Sequence, residues 1–381
     1  MKRSIYLFYF SIIFLLIPLF FVTNTAFAEL ELSGKYMTLQ DEHGKVITSM
    51  AHQIVVGDEY LDSQNNLYRV AKVHNNKAIV KLVRKEKLTA STISVLKDLW
   101  SYFLSGEFLR GETKAKGPIA IYHTHSDESY VPGDGTSSKF GRGGIFQVGD
   151  SLTKAFEKNG IPVVHSKTPH DPHDAMAYDR SRRTAVQLLK KQPNTLLDVH
   201  RDAVPAQMYS DVINNKDVTK VQLVVGRQNP NFQANNDFAK RIKETCDRKY
   251  PGFIKGIFYG TGKYNQDLGP RSMLLEFGTN TNSKVAAERS AQIFAAAAKD
   301  VLYGNRGAGF INRGSMRSLF WIIAALIGGV GLFFLMNRGG LKNLGKEFTG
   351  AMGEDEKNDK TPDFQNEVKE NVPSDQEKQN P

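Results

Sequence analysis

The pattern of apolar and polar residues divides the chain into two uniformly apolar segments and a long mixed region between them. The apolar segments cover residues 5–22 and 319–336. Each is near the lower length limit for a membrane-spanning helix, roughly 17 residues. The mixed region has the regular spacing of apolar positions that folded domains show. The pattern therefore predicts folded structure between two segments that can enter a membrane.

Residues 118–304 alternate short apolar strands with amphipathic helices. Strands are predicted at 119–122, 161–165, 195–200, 221–226 and 273–278, and helices around 148–156, 178–191, 230–249 and 284–302. In the first helix Val148, Leu152 and Phe156 share one face, and Asn159 followed by Gly160 is typical of a helix end. Such alternation predicts an α/β domain whose sheet is mainly parallel and flanked by helices. Ligands of such sheets bind beyond the carboxyl ends of the strands.

The rest of the mixed region is less regular. Residues 29–85 contain alternating apolar and polar positions separated by turns such as Asn75-Asn76, which predicts a small β domain. Residues 86–117 and 305–318 are interpreted as linkers. The tail, 337–381, becomes rich in Glu, Asp, Lys and Asn with few large apolar residues, so most of it is expected to be disordered.

The flanking residues orient the chain in a membrane. Lys2 and Arg3 precede the first apolar segment, and Ala26 and Ala28 form a small-residue cleavage pattern. Residues 1–28 are therefore either a cleaved signal peptide or a retained membrane anchor. In both cases the domain that follows is expected on the extracytoplasmic side of the cell membrane. The segment 319–336 then acts as a transmembrane helix that leaves the tail in the cytoplasm.

Charge and cysteine content narrow the class of protein. The net charge of +10 favours acidic partners such as wall polymers or anionic membrane lipid. No nucleic-acid-binding motif is present, so nucleic acid is not expected as a partner. The single cysteine, Cys246, excludes an internal disulfide and a metal cage built from cysteines. It lies in a helical pattern and is predicted to be a small buried side chain.

Side chains that suit metal chemistry occur at the ends of three predicted strands. They are His123, His125 and Glu128 after the first strand, His200, Arg201 and Asp202 at the third, and Glu276 in the last. Because the ends of parallel strands meet at one edge of a sheet, we expect these groups to converge. Imidazole and carboxylate groups at one edge are the donors that Zn²⁺ prefers.

A catalytic zinc site needs three protein ligands and an open position. His125 and Glu128 form an H-x-x-E pair, and a further histidine would complete the set. No histidine follows His200, and its rivals are His165, His170 and His173, the last two expected to be exposed in a proline-rich loop. An ionised Glu276 fits the role of the base that takes a proton from water. Taken alone, it could equally pair with Arg271 or Lys263.

Several of these motifs, in this order, resemble the stage II sporulation protein P family, which is similar in fold to zinc N-acetylmuramoyl-L-alanine amidases. The resemblance covers about 117–304 and is carried by the sequence around His123 and His125, the segment 161–165, the sequence Leu-Asp-Val-His-Arg-Asp ending at Asp202, and the sequence around Glu276. It implies cleavage of the amide between N-acetylmuramic acid and L-alanine of peptidoglycan. A second implied activity is cleavage of stem-peptide crosslinks. The implied setting is septal thinning and engulfment during sporulation, with stage II sporulation proteins D and M as partners.

The resemblance also assigns residue roles. It implies Zn²⁺ ligands at His125, Glu128 and His200 and a catalytic base at Glu276. His123 is the alternative ligand or a neighbour of the metal shell, because residues two apart in an extended chain point the same way.

Two features depart from the pattern. The zinc amidases take a Glu ligand from just before the first helix, where this chain has Gly141-Arg-Gly-Gly, so Glu128 is the expected carboxylate ligand. The C-terminal apolar segment is not expected in every sporulation relative. Arg201 and Asp202 are candidates for binding substrate.

Two other classes of function fit part of the pattern. A zinc metallopeptidase of the carboxypeptidase kind would use the same H-x-x-E pair with a later His and Glu, and would need an arginine such as Arg201 or Arg271 to clamp a carboxylate. A non-catalytic wall-binding envelope protein would need a broken ligand set, whereas all four positions are occupied here.

Overall fold

The computed structural model describes residue 32, residues 35–88 and 117–303, and six isolated positions between 322 and 333. The chain divides into two units, 1–310 and 311–381, and the second is described only at those six helical positions. In the described part of the chain, no helix combines the length and apolar character needed to cross a membrane. The predicted signal segment 5–22, most of 319–336 and the tail lie outside the described residues.

Within the described ranges, eleven strands form one mixed sheet, and two more form a separate hairpin. The strands of the large sheet are β1 Met37–Gln40, β2 Val46–Met50, β3 Glu59–Asp62, β4 Asn66–His74, β5 Lys77–Lys85, β6 Ile119–Tyr122, β7 Val163–His165, β8 Thr195–Asp202, β11 Val221–Gly226, β12 Ile254–Gly260 and β13 Ser272–Thr279. Their spatial order is β2-β1-β5-β4-β3-β12-β11-β13-β8-β6-β7. The hairpin pairs β9 Ser210–Ile213 with β10 Lys216–Thr219.

Among the six strands from β12 to β7, every neighbouring pair is parallel except β11 and β13. This confirms the predicted α/β class with a mainly parallel sheet. The helices are α1 Val131–Asp134, α2 Ile145–Lys158, α3 Ala177–Leu189, α4 Phe232–Lys249 and α5 Lys284–Tyr303. Cys246 is buried in α4, as predicted.

Helices cover the sheet on two faces, and the alternation of strand side chains decides which residues reach each face. In β8, Leu197 and Val199 join the core formed with α2, α4 and α5. Leu196 lies on the opposite face and packs against α3. In β13, Leu275 joins the core formed with α2, α4 and α5. Leu274 points to the other face and joins a cluster that includes Tyr178 and Phe258. His200 and Glu276 are in register on neighbouring strands, so both project from the same face as α3.

The strands expected for a separate N-terminal β domain instead extend the sheet. Strand β3 pairs antiparallel with β12, with Tyr60 opposite Phe258. The Tyr60 hydroxyl also donates a hydrogen bond of 3.0 Å to the carbonyl of Lys255. Strand β12 was not predicted from the sequence, and it is the strand that joins the two parts. The N-terminal strands therefore reach the edge of the sheet where the candidate site lies.

Candidate metal centre

A small pocket opens where β6, β8 and β13 end. Its lining consists of Ala51, His52, His125, Glu128, Tyr178, His200, Asp202 and Glu276. The structure thus brings together the four residues singled out as ligands and base. It adds two residues from the end of β2 and one from α3, which the sequence reasoning missed.

Glu128 lies at the centre of the candidate ligands. One carboxylate oxygen, Oε1, lies 3.3 Å from Nδ1 of His125 and 3.2 Å from Nδ1 of His200. The other oxygen accepts a hydrogen bond of 2.9 Å from the backbone N–H of Arg201. Burial raises the pKa of Glu128, but the charges of His200 and Arg201 and the imidazole hydrogen bonds outweigh it and hold the pKa well below its usual range. Glu128 is therefore an ionised carboxylate, the form in which it could bind a metal.

His200 is held between two carboxylates. Its Nε2 lies 2.9 Å from Oδ1 of Asp198, and its Nδ1 faces Glu128. Asp198 is itself fixed by the backbone N–H and the hydroxyl of Thr124, at 2.8 and 2.6 Å. Burial opposes the charged imidazole, but the two carboxylates prevail and raise the pKa of His200 well above its usual value. Of the two ring nitrogens, Nδ1 is the one that faces the other candidate ligands, so it would bind a metal while Nε2 stays beside Asp198.

The donor set fits Zn²⁺. Two imidazole nitrogens and a carboxylate oxygen are a common catalytic set, with bonds of about 2.0–2.2 Å. In a tetrahedral site such bonds place neighbouring ligand atoms roughly 3.3 to 3.5 Å apart. The distances from Glu128 Oε1 to Nδ1 of His125 and of His200, 3.3 and 3.2 Å, are close to that range. The same carboxylate oxygen thus faces one nitrogen of each imidazole, which makes His125, Glu128 and His200 a candidate ligand set.

A second grouping shares two of these residues. Donor atoms of His125, Glu128 and His173 lie within 4.8 Å of one another. The His173 ring stacks on that of His125 with centroids 3.8 Å apart, and its Nδ1 lies 2.9 Å from Oδ1 of Asp127. Its side chain is 23% exposed, whereas His200 is 2% exposed. His173 thus lies over the outer side of the ligands.

His123 does not line the pocket. Its Nδ1 lies 2.8 Å from the carbonyl oxygen of Val199, and its Nε2 lies 2.8 Å from Nε2 of His165. A Cβ at Gly149 of α2 would lie 2.7 Å from both of those Nε2 atoms, so only glycine leaves room for this pair. The expectation that His123 and His125 point the same way is wrong, because the chain leaves the extended conformation after β6.

The loop histidines also differ from expectation. His170 is only 4% exposed, not solvent-exposed as predicted. Its Nδ1 contacts the carbonyl oxygen of His123 at 2.7 Å and its Nε2 contacts the Thr184 hydroxyl at 2.8 Å. It ties the loop to the first strand end and to α3.

Arg201 and Asp202, expected to bind substrate, are buried and engaged with protein groups. The Arg201 guanidinium lies 3.8 Å from Glu128 and donates to the carbonyl of Ser137 at 3.2 Å. Asp202 accepts hydrogen bonds from the Ala51 N–H and the Tyr209 hydroxyl, both 2.8 Å. Arg201 thus supports a candidate ligand, and Asp202 anchors the chain beside His52.

Glu276 is buried, and its two carboxylate oxygens have different surroundings. It is 3% exposed, and its Oε1 lies 3.1 Å from Nε2 of His52. Its other oxygen, Oε2, is buried and has no hydrogen-bond partner among the described residues. Burial raises its pKa to about 6, although the hydrogen bond from His52 acts in the opposite direction. The alternative partner Arg271 instead donates to backbone carbonyls of Asn194 and Val301.

The sequence pattern did not single out His52, because the candidate ligands were expected at the strand ends of residues 118–304. It follows the end of β2 by two residues, much as His200 occurs at the end of an apolar strand. Its position after a strand is therefore a usable indication of a site residue, but residues 29–85 were expected to form a domain of their own. Tyr178, in the first turn of α3, carried no distinguishing pattern.

Fold and site together define a mixed α/β protein with a buried His/Glu cluster of metal-binding composition at the strand ends. Residues 29–299 match the family described as Stage II sporulation protein P, and the chain belongs to this family. It is 32% identical over 198 residues to Stage II sporulation protein P of Bacillus subtilis. That match covers 47% of this chain and spans about half, 49%, of the relative.

Solved structures with some likeness include two amidases. The N-acetylmuramyl-L-alanine amidase Ami1 from Mycobacterium smegmatis is similar with a TM-score of 0.34 and 13% identity, covering 51% of this chain and 100% of Ami1. The CwlD amidase from Clostridioides difficile, solved in complex with the GerS lipoprotein, has a TM-score of 0.32 and 13% identity. It covers 50% of this chain and 100% of its own.

Proposed function

We propose that this protein is a zinc-dependent peptidoglycan hydrolase that cleaves the amide between N-acetylmuramic acid and L-alanine. The observation that carries the proposal is the pairing of a His/His/Glu donor cluster with a buried carboxylate oxygen, Oε2 of Glu276, that has no hydrogen-bond partner among the described residues. Membership of a sporulation family supports the wall as substrate. Cleavage of stem-peptide crosslinks is a second activity of the same site.

The candidate ligands and the candidate base have distinct roles in this reaction. His125, Glu128 and His200 hold the metal, and Asp198 and Arg201 orient two of these ligands from behind. Zn²⁺, when bound, lowers the pKa of a water to roughly 7 and polarises the scissile carbonyl. Glu276 takes the proton from the attacking water and passes it to the leaving amine of L-alanine.

The cellular setting is part of the same proposal. The apolar segments 5–22 and 319–336 would tether the hydrolase to the cell membrane, with the site on the extracytoplasmic side. The proposed role is septal thinning and engulfment, with stage II sporulation proteins D and M as partners. The basic net charge of +10 suits anionic wall polymer and membrane lipid.

The arrangement favours an amidase over a carboxypeptidase. A carboxypeptidase clamps the terminal carboxylate of its substrate with an arginine. Here Arg201 is 5% exposed and contacts Glu128, and Arg271 donates to the carbonyls of Asn194, just before β8, and Val301 of α5. Neither guanidinium lines the pocket.

A zymogram with purified cell wall tests the proposal. The native protein is expected to clear the wall, a zinc chelator to stop clearing, and added Zn²⁺ to restore it. New free amino termini on L-alanine identify the amide that is cleaved. If zinc-loaded protein binds wall without releasing any product, the enzyme proposal is wrong.

The acidic limb of the pH profile should lie near pH 6. Because Glu276 must be ionised to accept a proton, and burial raises its pKa to about 6, kcat/KM should fall below that pH. The fall should approach tenfold per pH unit once the group is mostly protonated. Activity at constant zinc occupancy between pH 4.5 and 8 measures it, and a profile that is flat down to pH 5 contradicts the assignment.

A further inference from the structure

The N-terminal strands contribute directly to the candidate catalytic site. His52 is 5% exposed and lines the pocket together with Ala51. It lies 224 residues before Glu276 in sequence, yet its Nε2 is 3.1 Å from Oε1 of that carboxylate. No other residue between 35 and 88, apart from Ala51, lines this pocket.

His52 is held in place from several sides. Its ring stacks on Phe258 of β12, with centroids 5.5 Å apart and planes inclined by 30°. The preceding backbone N–H, that of Ala51, donates to Asp202 at 2.8 Å. The buried ammonium of Lys255 donates to the carbonyl of Ser49 at 2.7 Å, and to Oε1 of Gln222 at 2.9 Å. Strand β2 is thus fixed against the catalytic sheet by groups that do not depend on His52.

The contact with His52 gives the two carboxylate oxygens of Glu276 different roles. An N–H donated by His52 to Oε1 fixes the rotation of the carboxylate about its last bond, which is otherwise a soft torsion. The remaining oxygen, Oε2, is buried and has no hydrogen-bond partner among the described residues. It is therefore the oxygen oriented to accept a proton.

We propose that His52 is a positioning residue that locks Glu276 for proton transfer, so that the N-terminal strands form part of the catalytic site. The inference rests on the proposed hydrolase function. A carboxylate that rotates freely spends only part of its time aligned with the proton. A misplacement of about 1 Å can cost about 100-fold in rate.

The test compares His52→Leu and His52→Gln in the full-length protein. Leucine fills similar space without a donor, whereas the glutamine amide can still donate to Oε1. We expect His52→Leu to lower kcat by about 30- to 100-fold with KM changed less than about threefold. His52→Gln should recover kcat to within about fivefold of the native protein. The matched control is His74→Leu, an exposed histidine of β4 in the same group of strands.

Zinc content and thermal unfolding are measured on the same preparations. Native zinc in His52→Leu together with a low kcat supports a positioning role. Loss of zinc in both variants would make His52 a ligand and overturn the proposal. A kcat for His52→Gln as low as that for His52→Leu would also overturn it, because the effect would then not depend on a donor.

The outcomes separate this inference from the hydrolase proposal. If native, zinc-loaded protein does not cleave wall, the hydrolase proposal fails and the positioning role falls with it. If the native protein is active and His52→Leu keeps its kcat, only the positioning role fails. If His52→Leu does not fold, the kcat of His52→Gln is compared with that of His52→Asn to test the positioning role. Asparagine is one methylene too short to reach Oε1, so it should be the slower of the two.

Discussion

Replacing Glu276 with Gln is expected to abolish wall hydrolysis while zinc content stays at the native level. Glutamine keeps the shape of the side chain and still accepts a hydrogen bond from His52 through its carbonyl oxygen. It cannot accept the proton that the attacking water must lose. Proton transfer by a positioned side chain contributes about 10²- to 10⁴-fold, so a loss of roughly 1,000-fold in kcat is expected.

Metal analysis of the same variant decides how Glu276 acts. A glutamine variant that loses its zinc would make Glu276 a ligand instead of a base. Glu86→Gln is a suitable control, because Glu86 is a partly buried carboxylate that pairs with Lys240 and does not line the pocket. It should leave both zinc and turnover near native values.

Removing the imidazole of His125 is expected to release the metal, whereas removing that of His123 is not. His125 presents Nδ1 to the Glu128 oxygen at 3.3 Å, while both ring nitrogens of His123 contact other protein groups. Loss of a partner outside the ligand shell weakens metal binding about 10- to 100-fold, and loss of a ligand should cost more. Zinc per chain after dialysis of His125→Ala and His123→Ala measures the difference. Equal zinc in the two would contradict the assignment.

The same measurement distinguishes the two overlapping donor groups. His200→Ala should lose zinc and His173→Ala should keep it, because His200 is buried with a carboxylate behind its second nitrogen. The reverse result would place the metal on His125, Glu128 and His173, the outer of the two groups.

The parts of the fold that the sequence predicted are those where local pattern and burial agree. Strands β6, β8, β11 and β13 are buried along their whole length, and each contains consecutive apolar residues, such as 119–122 in β6 and 273–275 in β13. The helices α2 and α5 carry apolar residues at helical spacing and pack on that sheet. Polar residues at the ends of such strands then had to meet at one edge, which is why His125, His200 and Glu276 were found.

Strand β12 could not be predicted from its own sequence, because its unusual residues are explained by partners elsewhere in the chain. Lys255 and Gly256 interrupt its apolar pattern, and a lysine is rarely buried unless it is paired. Here the ammonium is satisfied by Ser49 and Gln222 and lies 4.2 Å from the ring centre of Tyr209. A Cβ at position 256 would lie 2.3 Å from the Tyr60 hydroxyl, so glycine is required for β3 to approach. Both features make sense only once the N-terminal strands are in place.

The directions in which the side chains of His123 and His125 point could likewise not be predicted from the local sequence. Period-two alternation holds within a strand, but His125 lies in the turn that follows β6. That turn is fixed by contacts with distant segments, such as the hydrogen bond from Ser129 N–H to the carbonyl of Ser137 and that from the His170 backbone N–H to the Ser126 hydroxyl.

The pairing of β3 with β12, and of His52 with Glu276, sets the order in which activity can arise during synthesis. A ribosome makes His52 first and Glu276 only after 224 further residues. Until then β3 has no β12 to pair with, and the pocket lacks its proton acceptor. On the proposed function, an unfinished chain therefore has no hydrolytic activity. Strand β13 is made last of the strands in the large sheet, and its place is between β11 and β8, which both precede it in the chain.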